Sequence, residues 1–130
     1  MTNLELRVLV CGSRSWTDIG VIRDILKGFP EDTIVLHGGA LGADTLADQV
    51  AREYGYQVEQ FPAQWQVYGR RAGILRNNVM LGMADKVIAF WDGHSTGTKH
   101  VITSAKKRGL SLLVITKPIL ELVYGKHPWL

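Results

Sequence analysis

The sequence predicts an open, mostly parallel α/β sheet flanked by helices, and three observations carry that expectation. Five short apolar runs alternate along the chain with four stretches of helical periodicity. The runs are apolar at successive positions, as strands covered by helices on both faces must be. Glycines and small polar residues mark the junctions, and parallel strands need the long crossovers that such helices supply. At 130 residues the chain is expected to form a single domain, 1–130, burying about 65–70% of its unfolded surface.

The first strand is expected over residues 6–12 (LRVLVCG). Thr17 and Asp18 then offer an N-cap, and Ile19, Ile22, Ile25, Leu26 and Phe29 recur at helical spacing up to Pro30. Residues 33–37 (TIVLH) supply a second strand. Ala43, Leu46, Ala47, Val50, Ala51 and Tyr54 follow one helical face, closed by Gly55. A short third strand over 57–61 stops at Pro62, and a polar, aromatic stretch leads into a helix from about Arg70 to Ala84. Residues 86–91 (KVIAFW) form the fourth strand, 98–108 a helix halted by Gly109, and 112–116 (LLVIT) the fifth strand. Residues 119–123 and the closing HPWL suggest one more short element whose type the pattern leaves open.

With 46% hydrophobic and 21% charged residues, the composition excludes intrinsic disorder and low-complexity architectures. No apolar run reaches the ~20 residues of a membrane helix, and the N-terminus lacks a signal-peptide layout, so a cytoplasmic protein without a membrane partner is expected. The single cysteine, Cys11, precludes an intramolecular disulfide; at the end of an apolar run it is expected to be buried and inert. His37, His94 and His100 show no ligand spacing, so neither metal nor cofactor is expected. Lys106, Lys107 and Arg108 end a helix, where cations complement the dipole. Residues 1–62 carry 5 basic and 9 acidic side chains, residues 63–130 carry 10 and 3. The basic half invites an anionic partner.

In an open parallel sheet, ligands bind beyond the carboxyl ends of the strands. Three of those ends carry glycine or small polar residues: Gly12-Ser13-Arg14, then Gly38-Gly39-Ala40-Leu41-Gly42-Ala43-Asp44, then Asp92-Gly93-His94-Ser95-Thr96-Gly97-Thr98. Glycine lets backbone N–H groups approach an anion, and the following helix adds unpaired donors and its positive dipole end. A phosphate is the expected guest. No G-x-x-x-x-G-K-[ST] occurs, and GGALGAD is not G-x-G-x-x-G, which argues against P-loop hydrolysis and dinucleotide dehydrogenation.

These segments, GSRSW, HGGALGADTLADQVAREYG, RRAGILRNNVM and FWDGHSTGTKHVITSAKKRG, together resemble the SLOG superfamily, which unites the Smf/DprA DNA-processing proteins with the LOG phosphoribohydrolases, and within it the small YspA-related branch. The resemblance runs from about Leu6 to Thr116. It implies a Rossmann-like sheet whose loops hold a nucleotide or nucleotide-derived small molecule, and a homodimer. It puts Gly12, Ser13 and Arg14 on one ligand loop, Gly38, Gly39, Gly42 and Asp44 on a second, and adds Arg71, Gly73, Arg76 and Asn77 from the RAGILRN helix. Arg76 falls on an arginine implicated in LOG catalysis. Where the LOG pattern has its catalytic glutamate, this chain has Val101, so Asp44 or Asp92 would have to serve in its place.

Ligand contacts are also expected from Asp92, Gly93, Ser95, Gly97 and Thr98. Asp44 has two readings, a cap for its own helix or a partner for a ligand hydroxyl. Arg14 suits a phosphate or a salt bridge to a neighbouring loop. Trp16 and Trp65 are placed nearer the ligand, Trp91 in packing. Three functions follow: nucleotide binding first, then N-glycoside or phosphoribosyl hydrolysis, then DprA-like binding of single-stranded nucleic acid by the basic half.

Overall fold

A computed structural model describes residues 5–125, so the closing HPWL lies outside the described residues. Its elements are β1 (Arg7–Gly12), α1 (Ile19–Leu26), β2 (Ile34–His37), α2 (Ala43–Glu53), β3 (Gln57–Gln60), α3 (Trp65–Tyr68), a 3-10 turn (Gly69–Arg71), α4 (Ala72–Met83), β4 (Lys86–Trp91), α5 (Thr96–Lys107), β5 (Ser111–Thr116) and β6 (Leu120–Tyr124). The strands order as β3-β2-β1-β4-β5-β6, parallel except for β6, which returns antiparallel along β5. The sheet is Rossmann-like, as the pattern of apolar runs predicts.

Apolar side chains alternate between the two faces of the sheet, and each face has its own core. Val8, Val10, Val35, Ile88 and Phe90 pack with Ile22 and Leu26 of α1 and Ala47 and Val50 of α2. Leu9, Leu36, Val87, Ala89 and Val114 pack on the other face with Met80 and Leu81 of α4 and Val101, Ile102 and Ala105 of α5. The chain starts at β1, builds outward to β3, then crosses to β4 on the opposite flank of β1. Connections therefore leave β1 and β4 in opposite directions, which opens a crevice above their carboxyl ends.

Gly12 ends β1 opposite Phe90 of β4. A Cβ at Gly12 would meet the Phe90 carbonyl oxygen and the Ala43 methyl, so α2 can start this close to the sheet only over a glycine. Gly42, at φ +79°, turns the chain into α2 where a Cβ would meet the Ser13 and Arg14 carbonyl oxygens.

Several boundaries differ from the sequence reading, each for a local reason. Helix α1 ends at Leu26, with Lys27 as its C-cap, rather than running to Pro30. Gly69, at φ +58°, separates the short α3 from the turn that precedes α4, splitting a stretch read as lead-in plus one helix. Helix α5 starts at Thr96, two residues early, with Ser95 as N-cap. Of the stretch 119–123, Ile119 lies in the turn after β5 and residues 120–123 belong to the edge strand β6, whose Leu120, Leu122 and Val123 are exposed. Among the described residues no helix is long and apolar enough to cross a membrane.

Gly12→Ala is predicted to cost about 1–3 kcal/mol by forcing α2 from the sheet. Urea denaturation checks this, and an unchanged midpoint would contradict the packing described for Gly12.

Candidate functional site

Above the crevice lies a cavity of about 500 Å³ lined from β1, the β2–α2 loop, α4 and the β4–α5 loop. Of the residues singled out in the sequence, it brings together Gly12, Arg14, Gly38, Asp44, Arg76, Asn77, Asp92, Ser95, Gly97 and Thr98. Cys11, Ser15, Ala40, Met80, Thr96 and Val101 complete the wall.

The glycine loops do not offer their amides as the sequence suggested. Gly38 and Ala40 donate their N–H groups to Asp44 Oδ2, at 3.1 and 3.2 Å, and Gly39 donates to His37 Nδ1 at 2.9 Å. Because Nδ1 accepts, the His37 proton sits on Nε2, which donates to Asp48 Oδ2 at 2.7 Å. The β4–α5 loop repeats the device: His94 and Ser95 each donate a backbone N–H to Asp92 Oδ1 at 2.8 Å. Acidic side chains of the protein itself thus hold the places an anionic ligand was expected to take.

Ser13 ties the two sides together. It is fully buried, its Oγ accepts the Asp92 N–H at 2.9 Å, and its carbonyl accepts the N–H of Ala43 at the start of α2. It is a support under the cavity rather than part of its wall. The same holds for Gly42, whose role is the tight turn, and for Gly39, which lies against Gln60. Arg71 stands exposed before α4, Gly73 packs beside Trp65, and Gly93 is an exposed turn at φ +85°; none of the three lines the cavity. Trp16 corrects another expectation: it is 1% exposed, 5.4 Å from the Phe90 ring, and belongs to the core. Trp65 is 55% exposed and outside the cavity wall, while Trp91 donates its indole N–H to the Ser95 carbonyl and steadies the loop.

Four groups still face the cavity with capacity to spare. Helix α5 begins without a side-chain cap, so the N–H groups of Thr96, Gly97 and Thr98 in its first turn carry the helix's positive end to the wall. Arg14 is exposed at the rim. Asn77 accepts from Arg76 Nε through Oδ1, which leaves its amide NH2 for the cavity. Asp44 uses Oδ2 for the loop and keeps Oδ1 as an acceptor. Arg76 itself is half committed: Nη1 donates to the carbonyls of Gly38 (2.8 Å) and Phe61 (3.3 Å), stapling the ends of β2 and β3 to α4.

Burial raises the Asp44 carboxyl, opposed by the Ala40 N–H, His37, the Gly38 N–H and Arg76. Asp92 moves the other way, held well below the usual carboxylate range by the Ser95 and His94 N–H groups. Burial pushes the Cys11 thiol far above its ordinary value, with Asp44 adding to the effect, so it sits in the floor as a neutral thiol. Among the described residues no cluster of three or more His, Cys, Asp or Glu side chains is arranged to hold a metal. The His37–Asp48 pair escaped sequence reasoning, because only the docking of α2 beside β2 brings those positions together.

Residues 6–68 match the model of the YspA, cpYpsA-related SLOG family. Gene 61 protein of Mycobacterium phage D29 is 40% identical over 117 residues, which span 82% of this chain and 94% of that protein. The structure of DNA processing protein A (DprA) from Streptococcus pneumoniae superposes with a TM-score of 0.72 at 18% identity, covering 85% of this chain and 50% of that one. The chain thus spans half the length of the DprA structure, and the likeness is one of fold.

Removing the Arg76 donors strands two loop carbonyls, so Arg76→Ala is predicted to lower unfolding free energy by about 1–3 kcal/mol, read by chemical denaturation. Asp92, with a folded pKa below its unfolded value of about 3.9, contributes stability that is present above that pH and lost as pH falls through and below it. Asp92→Asn is therefore predicted to be less stable than wild type at pH 7, with the gap narrowing as pH falls below about 4 in melting curves.

Proposed function

The chain belongs to the YspA- and cpYpsA-related SLOG family, and from that premise we propose that it binds a nucleotide or nucleotide-derived small molecule in the cavity above β1 and β4. Family membership supports a nucleotide- or nucleic-acid-binding role; the cavity favours the small molecule. One observation carries the reading: a single cavity is lined both by the first turn of α5, which has no side-chain cap, and by Asp44, whose Oδ1 the loop amides leave unused. The helix end, with Arg14, suits a phosphate. Asp44 Oδ1 suits the hydroxyl of a ribose. Asn77 adds a neutral donor on the same cavity wall.

A second reading, cleavage of an N-glycosidic bond, is favoured by Asp44 alone. Burial raises its carboxyl, as a general acid requires, and Arg76 stands beside it. Protonated Asp44 would give its proton to the departing base while water adds to the ribosyl carbon, releasing free base and sugar phosphate. Asp92 is unsuited to that part, since Oδ1 takes two backbone N–H groups and Oδ2 the Ser95 hydroxyl at 3.1 Å.

Melting curves across mononucleotides, cyclic nucleotides, dinucleotides and ADP-ribose test the proposal. At 100 times Kd the bound compound is predicted to add about 2.7 kcal/mol of stability, and Arg14→Ala to weaken binding without changing the melting point of the free protein. A flat response across the panel contradicts the proposal. Chromatography of the same incubations tests the second reading, which predicts free base that disappears with Asp44→Asn.

A further inference from the structure

Beside the first cavity lies a second, of about 650 Å³, and Arg76 lines both. The two differ in chemistry. The first is ringed by helix-end amides, Arg14 and two aspartates; the second holds no carboxylate and no lysine, and Arg76 is its one charged group. Phe61, Tyr68, Leu75 and Val79 line it together with Gln64 and Asn78, which carry side-chain amides. Each amide offers a donor and an acceptor together, the pattern that matches the edge of a heteroaromatic ring. The Arg76 guanidinium, pinned through Nη1 to the Gly38 and Phe61 carbonyls, brings a fixed planar cation to the same place, suited to stacking on such a ring.

We propose that this second cavity is the ring subsite of the same ligand: a neutral nucleobase lies between Tyr68 and Arg76 while its sugar phosphate occupies the first cavity. The inference rests on the nucleotide reading and adds where the base goes. It makes Arg76 the hinge between an anionic and an uncharged half of the ligand.

Titration calorimetry with ribose 5-phosphate, AMP, GMP, CMP and UMP tests it on wild type, Val79→Trp and Tyr68→Ala. Val79 and Tyr68 are about half exposed, so both variants keep the fold, checked by their melting points. The tightest mononucleotide is expected to bind wild type at least about tenfold more tightly than ribose 5-phosphate, in the range of a base stacked on an aromatic side chain. Val79→Trp, which fills the cavity, is expected to reduce that advantage below about threefold, and Tyr68→Ala to reduce it too, both leaving ribose 5-phosphate unchanged within about twofold. Equal binding of ribose 5-phosphate and every mononucleotide, or an advantage that survives both variants, overturns the ring subsite and leaves the nucleotide reading standing. Absence of binding by all five compounds overturns the ring subsite, and the nucleotide reading falls with it only if the wider panel above is also flat.

Discussion

The site depends on two internal carboxylates that satisfy loop amides the sheet cannot reach. Backbone N–H groups beyond the ends of β2 and β4 have no neighbouring strand to accept them, and a buried N–H without an acceptor costs about 1–3 kcal/mol. Asp44 gathers Gly38 and Ala40, and Asp92 gathers His94 and Ser95. Each anion lies within seven residues of the amides it binds, so each loop closes on itself before any ligand arrives. What remains open is the first turn of α5, Arg14, the Asn77 amide and one oxygen of Asp44, so the cavity offers donors and an acceptor together.

That arrangement also explains the glycines. Gly12 allows α2 to approach β1, Gly38 lies under the Arg76 guanidinium, and Gly42 makes the turn against the Ser13 and Arg14 carbonyls. A Cβ would find open space at Gly97, in the first turn of α5 on the cavity wall, as it would at the turn glycines Gly55, Gly69, Gly93 and Gly109, which do not line it.

The centre of the sheet was legible because β1, β2, β4 and β5 are apolar at successive positions and the crossovers keep helical period, features set by local burial. The same rules placed the ends of β1, β2 and β4 in one crevice. What escaped the sequence depends on distances between elements. Arg71 and Arg76 look alike on paper, yet a five-residue step along the start of α4 leaves one in solvent and carries the other onto the Gly38 and Phe61 carbonyls. Trp16 sits next to a proposed ligand loop in sequence, but the turn closed by the Trp16 N–H on the Ser13 carbonyl drops its ring onto Phe90. The engagement of the Gly38–Ala40 amides could not be read either, since a carboxylate four to six residues away looks the same whether it caps its helix or folds back over the loop.

The central claim is that the α5 amides are open to an anion while the β2–α2 amides are already taken. Amide-resolved NMR during titration with AMP addresses it most directly. The account predicts that Thr96, Gly97 and Thr98 shift strongly as the compound is added while Gly38 and Ala40 stay near their starting positions. Large shifts at Gly38 and Ala40 with the α5 amides unmoved would show that the ligand displaces Asp44 and that the site has been assigned to the wrong loop.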